Sequence, residues 1–305
     1  MREAPAARPV IFGEILFDCF PDGASRLGGA PFNVAWHLQG LGARPLFIGR
    51  IGDDAAGEAV QAVMEEWGMD RRGLQLDECH PTGVVEVSLE GGQPSYHIVP
   101  EQAYDFVDRD AAVAALEGSP AALLYHGTLA LRNPVSRRAC EALRSHISAP
   151  VCVDLNLRAP WWDSAMVHEV LHGAQWVKLN DEELAEVSLP PPASGGLEDA
   201  ARALRQRYGL ECLVVTLGAE GAWMVTEEEF LRGAPVAVEK VVDTVGAGDA
   251  FAAVGLLGVL RGWPLSLTLA RALEFAARLC AVRGATIQDR AFYDSQLARW
   301  ETSLD

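Results

Sequence analysis

The chain has 305 residues, half of them hydrophobic and 22% charged, with a formal net charge of −17. That length supports a substantial core in one large domain or two unequal ones, and the composition is that of a globular chain. The acidic balance argues against a nucleic-acid backbone or an anionic membrane as the main partner, although a helix terminus can still hold a phosphate locally.

In chain order, apolar strand-like runs alternate with amphipathic helical stretches. A strand over Val10–Cys19 is followed by a helix over Asn33–Leu41, and a strand over Leu46–Ile48 by a helix over Ala56–Trp67. Residues 82–99, "TGVVEVSLEGGQPSYHIV", break the rhythm: they read as two strands joined by a glycine turn, either an edge extension of the sheet or a flap over a site. Strands at Leu123–Tyr125 and Val151–Asp154 then flank a helix over Asn133–Ser148. Trp176–Leu179 and Cys212–Thr216 are the last strands; helices are expected over Glu198–Tyr208, Gly248–Arg261 and Leu265–Arg283. Such alternation means βαβ units and a parallel sheet covered on both faces. "LPPPASGG", residues 189–196, reads as a surface loop.

The opening "MREAPAARPV" lacks the apolar core of a signal peptide. The most apolar run, Ala250 to Leu260, is too short to span a bilayer and is bracketed by Asp249 and Arg261. Six scattered cysteines form no C-x-x-C pair and suit a reduced compartment, so a cytoplasmic location is expected.

The stretch "VVDTVGAGDAFAAVGLLGVL", residues 241–260, sets Asp249 directly after Gly246, Ala247 and Gly248 at the start of an apolar helix. A helix N-terminus presents unpaired N–H groups and the positive end of the dipole, and glycines let a bulky anion approach them. A carboxylate beside that anion could accept a proton from an incoming hydroxyl, which suggests phosphoryl transfer. Taken alone, the same residues also suit an ordinary turn with an acidic first helical turn. The usual phosphate binders are missing, since neither of the two lysines, Lys178 and Lys240, follows a glycine and H-R-D and G-x-G-x-x-G do not occur; the hydrolase motifs H-E-x-x-H and G-x-S-x-G are absent too.

A second glycine-rich segment, residues 26–54, carries Gly28-Gly29-Ala30-Pro31-Phe32-Asn33-Val34-Ala35, then Gly42 and Gly52. With Asp243-Thr244-Val245-Gly246-Ala247-Gly248-Asp249 it resembles the two signatures of the ribokinase family of sugar kinases (the phosphofructokinase-B type), most closely its fructokinases. "GEILFD" at 13–18, "IGRIGDDAAGE" at 48–58, "DLNLR" at 154–158, N-x-x-E at Asn180 and Glu183, and "VVTLGAEGA" at 214–222 extend the resemblance over nearly the whole chain. Ala253-Val254 departs from it, since the family usually has small residues there, often a glycine pair.

The resemblance implies a three-layer αβα sandwich with a mainly parallel sheet, one kinase domain over 1–305, and a small β lid from about 14–28 and 82–107. It implies that Asp249 is the general base and that the backbone of Gly246, Ala247 and Gly248 forms an anion hole. Asp18, Gly29 and Asn33 are expected to bind sugar hydroxyls. Arg158 would face the sugar or the phosphoryl group, its alternative being a surface salt bridge. Asn180 and Glu183 would position phosphate and Mg2+, Glu183 through water. Thr216, Gly218 and Gly221 would form the nucleotide loop, with Ala277 and Cys280 beside the adenine of ATP. Asp243 with the backbone near Val245 and Gly284 would hold a monovalent cation, K+. The expected activity is ATP-dependent phosphorylation of a sugar, most like fructose to fructose 6-phosphate. Ribose, 2-keto-3-deoxygluconate or a nucleoside is an alternative acceptor, and a catalytically silent sugar-binding module is an alternative of another class. The missing dinucleotide fingerprint opposes a dehydrogenase. A homodimer through the lid is a further implication.

Overall fold

The computed structural model describes residues 7–90, 93–188 and 196–302, so most of the expected loop at 189–196 lies outside the described residues. The first strand, β1 (Arg8–Phe12), is buried on both faces, as its Val-Ile-Phe run demands. The apolar run expected to continue as one strand to Cys19 is broken at Gly13–Ile15, and β2 (Leu16–Cys19) joins another sheet. Gly13 sits at φ 156 with Pro31 packed where a Cβ would stand, so the backbone turns there.

After β3 (Ser25–Gly28) come α1 (Ala30–Gly40), β4 (Leu46–Gly52), α2 (Ala55–Trp67), β5 (Leu74–Asp77), β6 (Gly83–Glu90), β7 (Gln93–Ile98) and α3 (Arg109–Ala114). The middle of the chain forms β8 (Ala121–His126), α4 (Pro134–His146), β9 (Val151–Asp154), α5 (Ser164–His172), β10 (Trp176–Asn180) and α6 (Asp181–Val187). The chain then continues through α7 (Leu197–Tyr208), β11 (Cys212–Thr216), β12 (Ala222–Val225), β13 (Phe230–Gly233), α8 (Ala247–Arg261), α9 (Leu265–Cys280) and α10 (Arg290–Thr302). Helix ends follow local chemistry. Asp54 caps α2 by accepting from Gly57 N (2.7 Å), Asn133 caps α4 ahead of Pro134, and left-handed Gly68, Gly209 and Gly262 end α2, α7 and α8.

Nine strands form the main sheet in the order β13-β12-β11-β10-β9-β8-β1-β4-β5, parallel throughout except for the antiparallel β11-β12-β13 end. Helices α3–α7 cover one face and α1, α2 and α8–α10 the other, each over its own hydrophobic core. Alternate residues of β1 serve the two cores: Val10 and Phe12 point one way, Ile11 the other. This is the expected αβα sandwich. The hairpin β6–β7 does not extend the main sheet; it pairs with β2 in a separate four-stranded sheet, β3-β2-β6-β7.

From β1 the chain first builds outward to β4 and β5, then returns to lay β8 on the other side of β1. Strand order therefore reverses between β1 and β8, and open α/β sheets bind ligands outside the carboxyl ends of strands at such a point. Among the described residues, no helix is long and apolar enough to cross a membrane.

Candidate active site

The two glycine-rich motifs meet in space. Asn33, in the first turn of α1, donates from Nδ2 to Asp249 Oδ2 at 2.8 Å across 216 residues of sequence. α8 begins at Gly246, which adopts φ 79 and stands so close to Ala285 that a Cβ would lie 2.6 Å from its Cβ. No side chain caps this terminus; Ala247 N donates to Thr244 O at 3.3 Å, while the N–H groups of Gly246 and Gly248 have no partner among the described residues. Ala247 is the first helical residue, and Gly248 keeps the approach free of side-chain atoms.

Asp249 is half-buried: a ligand in the cleft can reach it, yet protein crowds its other sides. Burial pushes its carboxyl up to about 6, with the Asn33 hydrogen bond opposing and the nearby Asp154 charge adding to the rise. Such a group is ionised at neutral pH and still basic enough to take a proton.

Asp18 and Asn33 converge at Gly28, where a Cβ would stand 3.8 Å from Asp18 Oδ2 and 3.9 Å from Asn33 Oδ1. Asn33 Oδ1 is buried and has no protein partner, so it is available to accept from a hydroxyl. Asp18, Gly29 and Asn33 line a cavity of about 410 Å3, with Arg26, Val245 and Gly284 on its walls. Burial raises the Asp18 pKa, and Arg26 and Arg158 oppose that rise. Gly29 holds φ 108, and a Cβ there would lie 2.6 Å from Glu14 O. Arg158 forms no ion pair among the described residues; its Nη1 donates to Leu157 O at 3.2 Å, and its charge acts on Glu14, Asp18 and Asp249. Arg158 itself is exposed and is not among the residues lining that cavity.

Asn180 and Glu183 form a capping box on α6. Asn180 Oδ1 accepts from Glu183 N (2.7 Å), and Glu183 Oε2 accepts from Asn180 N (2.9 Å). Glu183 Oε1 also accepts from Leu157 N at 2.6 Å. Burial raises the Glu183 pKa against these backbone donors. Each carboxylate oxygen keeps a lone pair beyond its backbone bond, and Asp154 Oδ1 is buried without a partner. Oxygen acceptors of this kind fit the water shell of Mg2+.

Asp243 gathers the third expected set. Its Oδ1 accepts from Val245 N and its Oδ2 from Gly284 N, both at 3.1 Å, and Arg26 reaches Oδ2 at 3.7 Å. Three donors already face that carboxylate, so any K+ there would rely on carbonyl oxygens of these turns. Thr216 ends β11 and Gly218 and Gly221 follow it, where Gly221 at φ 100 runs against Gly233 O. Ala277 and Cys280 lie on the last turns of α9, the helix packed on β12 and β13. Thr216 Oγ1 donates to Leu179 O at 3.4 Å.

The model of pfkB family carbohydrate kinases matches residues 20–290. The chain belongs to that family. Similar proteins include the *Escherichia coli* fructokinase, 32% identical over 302 residues that cover 91% of this chain and 93% of the relative. A *Vibrio cholerae* fructokinase double mutant, with fructose, ADP and a potassium ion bound, is 26% identical at a TM-score of 0.78, covering 96% of this chain and 99% of that one. The *Salmonella enterica* aminoimidazole riboside kinase, in complex with aminoimidazole riboside and an ATP analog, is 25% identical at a TM-score of 0.81, covering 95% and 99%.

Three residues of this carbohydrate kinase escaped the sequence reading. Glu14, between β1 and β2, is 2% exposed, leaves Oε2 without a partner, and is pushed up to about 7 by burial, with Asp249 among the other causes. Asp154 ends β9, and Lys178 faces it from β10 with Nζ 2.6 Å from Oδ2. Glu14 and Asp154 stood inside recognised stretches, "GEILFD" and "DLNLR", but register alone assigns no partner to either. The available signal for Lys178 was its rarity.

Proposed function

We propose that this chain transfers the γ-phosphate of ATP to a hydroxyl of a small sugar, with fructose as the acceptor and fructose 6-phosphate as the product. The observation that carries the reading is the Asn33–Asp249 hydrogen bond, which joins the acceptor cavity to the open N-terminus of α8. Asp18, Gly29 and the free Asn33 Oδ1 would hold sugar hydroxyls beside Asp249. Asp249 would take the proton from the attacking hydroxyl, and the N–H groups at Gly246–Gly248 would carry charge on the transferring group. Preorganised donors of that kind are worth about 2.7–4 kcal/mol each.

Thr216, Gly218, Gly221, Ala277 and Cys280 would hold the nucleotide. A magnesium ion held through water by Glu183 would supply charge neutralisation on the ATP phosphates. Asp243, Val245 and Gly284 would carry any K+ effect. The four-stranded sheet, with the segment to Val107, would act as the lid, and a cytoplasmic monomer or lid-paired homodimer fits the chain. Likeness to the riboside kinase supports a second reading, a nucleoside or riboside acceptor.

ADP release, followed across fructose, ribose, 2-keto-3-deoxygluconate and a nucleoside panel, tests the reading. Fructose-dependent release that EDTA abolishes is expected. A tenfold preference for a riboside overturns the fructose assignment, and release without any acceptor dependence overturns the kinase assignment.

A further inference from the structure

Lys178 is one of only two lysines in a chain with 25 basic residues, so arginine is the cation used almost everywhere else. Arginine is a broad planar fork; lysine is a compact point charge. The Lys178 side chain is 14% exposed and its Nζ lies 2.6 Å from Asp154 Oδ2. The same Nζ lies 3.5 Å from where a Cβ on Gly248 would stand. The ammonium therefore sits against the open first turn of α8, on the side the glycine leaves bare. Asp154 is its one acceptor among the described residues, which leaves two of its three N–H donors for a ligand.

Charge gives the second argument. Asp154, Glu183 and Asp249 all act on Lys178, and the Asp249 charge reaches Glu14 as well. A phosphoryl group entering among these carboxyls meets repulsion unless a cation faces it. The 2.6 Å bond to Asp154 Oδ2 fixes the ammonium in place and leaves its remaining donors directed to the cleft.

We propose that Lys178 is a catalytic residue whose ammonium, aimed by Asp154, binds the transferring phosphoryl group beside the α8 N-terminus. This rests on the kinase reading above. The acceptor hydroxyl oxygen forms a bond to the γ-phosphorus while its proton passes to Asp249. The bond from the γ-phosphorus to the β–γ bridging oxygen breaks, and the electron pair leaves with ADP. Lys178 bears charge on the γ-oxygens throughout and neither gains nor loses a proton.

Lys178→Met removes the charge, and Lys178→Arg keeps a partner for Asp154 in case the first variant unfolds. Lys178→Met is expected to lower kcat by about 10²–10³-fold with the sugar KM within about threefold of wild type. Lys178→Arg is expected to melt like wild type and still lose at least about tenfold in kcat. Without the ammonium, Asp249 is harder to ionise, so the acid limb of the pH profile moves up in the Met variant. A separate readout uses ADP with aluminium fluoride, a mimic of the transferring group: thermal stabilisation by the mimic should exceed that by ADP alone in wild type, and this excess should vanish in Lys178→Met. If no sugar is phosphorylated by wild type, the kinase reading fails and the aluminium fluoride comparison still decides the role of Lys178. A kcat within threefold of wild type in either variant, or an unchanged excess with the mimic, overturns the proposal and leaves Lys178 and Asp154 as an ion pair of the sheet.

Discussion

Two carboxyls of the cleft titrate close to neutrality for one physical reason. Glu14, pushed up to about 7, and Asp249, pushed up to about 6, are both starved of water, and the Asp249 charge adds to the rise at Glu14. A base must be ionised to act, so kcat/KM for the sugar should fall as pH drops through about 6, where Asp249 takes up its proton. Asp249 titrates below Glu14, so Glu14 is already protonated in that range, and Glu14→Gln should leave the acid limb of the pH–rate profile near about 6. A limb displaced by a full pH unit would mean that Glu14 is charged while Asp249 titrates. Stability follows the same shifts. A carboxyl whose folded pKa lies above its unfolded value leaves the folded state with more bound protons, so its contribution weakens as pH rises between about 4.5 and 7. Glu14→Gln should therefore melt higher than wild type at pH 8 and close to it at pH 4.5.

The start of α8 shows how two glycines of one motif differ in purpose. Gly246 needs its positive φ and has no room for a Cβ, so Gly246→Ala should cost about 1–3 kcal/mol of stability, read by chemical denaturation. At Gly248 a Cβ would meet only the Lys178 ammonium at ordinary contact distance. Gly248→Ala should keep the fold and lower kcat, because the methyl group stands where the phosphoryl group approaches; equal stability losses in the two variants would contradict this division. In the four-stranded sheet, Asp18 on β2 pairs in register with Arg26 on β3, beside the cavity. Asp18→Ala should raise the KM for fructose by about 10–100-fold with the ATP KM nearly unchanged, since removing one partner from a hydrogen bond to a charged group costs about 1.5–3 kcal/mol. A loss confined to ATP would move Asp18 out of the acceptor site. Helices and strands with strong periodicity were legible in the sequence. The break at Gly13 was not, because an apolar run reads the same whether it stays in one sheet or passes between two. Short β12 and β13 and the capped α5 and α6 also escaped a period-based reading, which needs more than one or two turns to register.

At the scale of the molecule, the layered architecture was legible because alternation of strand and helix leaves few ways to bury both faces of a sheet. The meeting of Asn33 with Asp249 was legible only through resemblance, since no local pattern relates residues 216 positions apart. The Asp154–Lys178 pair needs the β9–β10 register, which only the fold supplies. With the acceptor bound between two sheets, closure would keep water from the phosphoryl group, so ATP hydrolysis without sugar should be far slower than transfer to fructose. A sugar-free rate equal to the sugar-dependent one would remove the lid from the account. Its central claim is that Asp249 removes the hydroxyl proton while phosphate passes to the sugar, and rapid-quench single-turnover transfer from ATP to fructose tests that most directly. Asp249→Asn should fold, bind ATP as wild type does, and transfer phosphate about 10²–10⁴-fold more slowly; transfer at the wild-type rate in that variant would contradict the account.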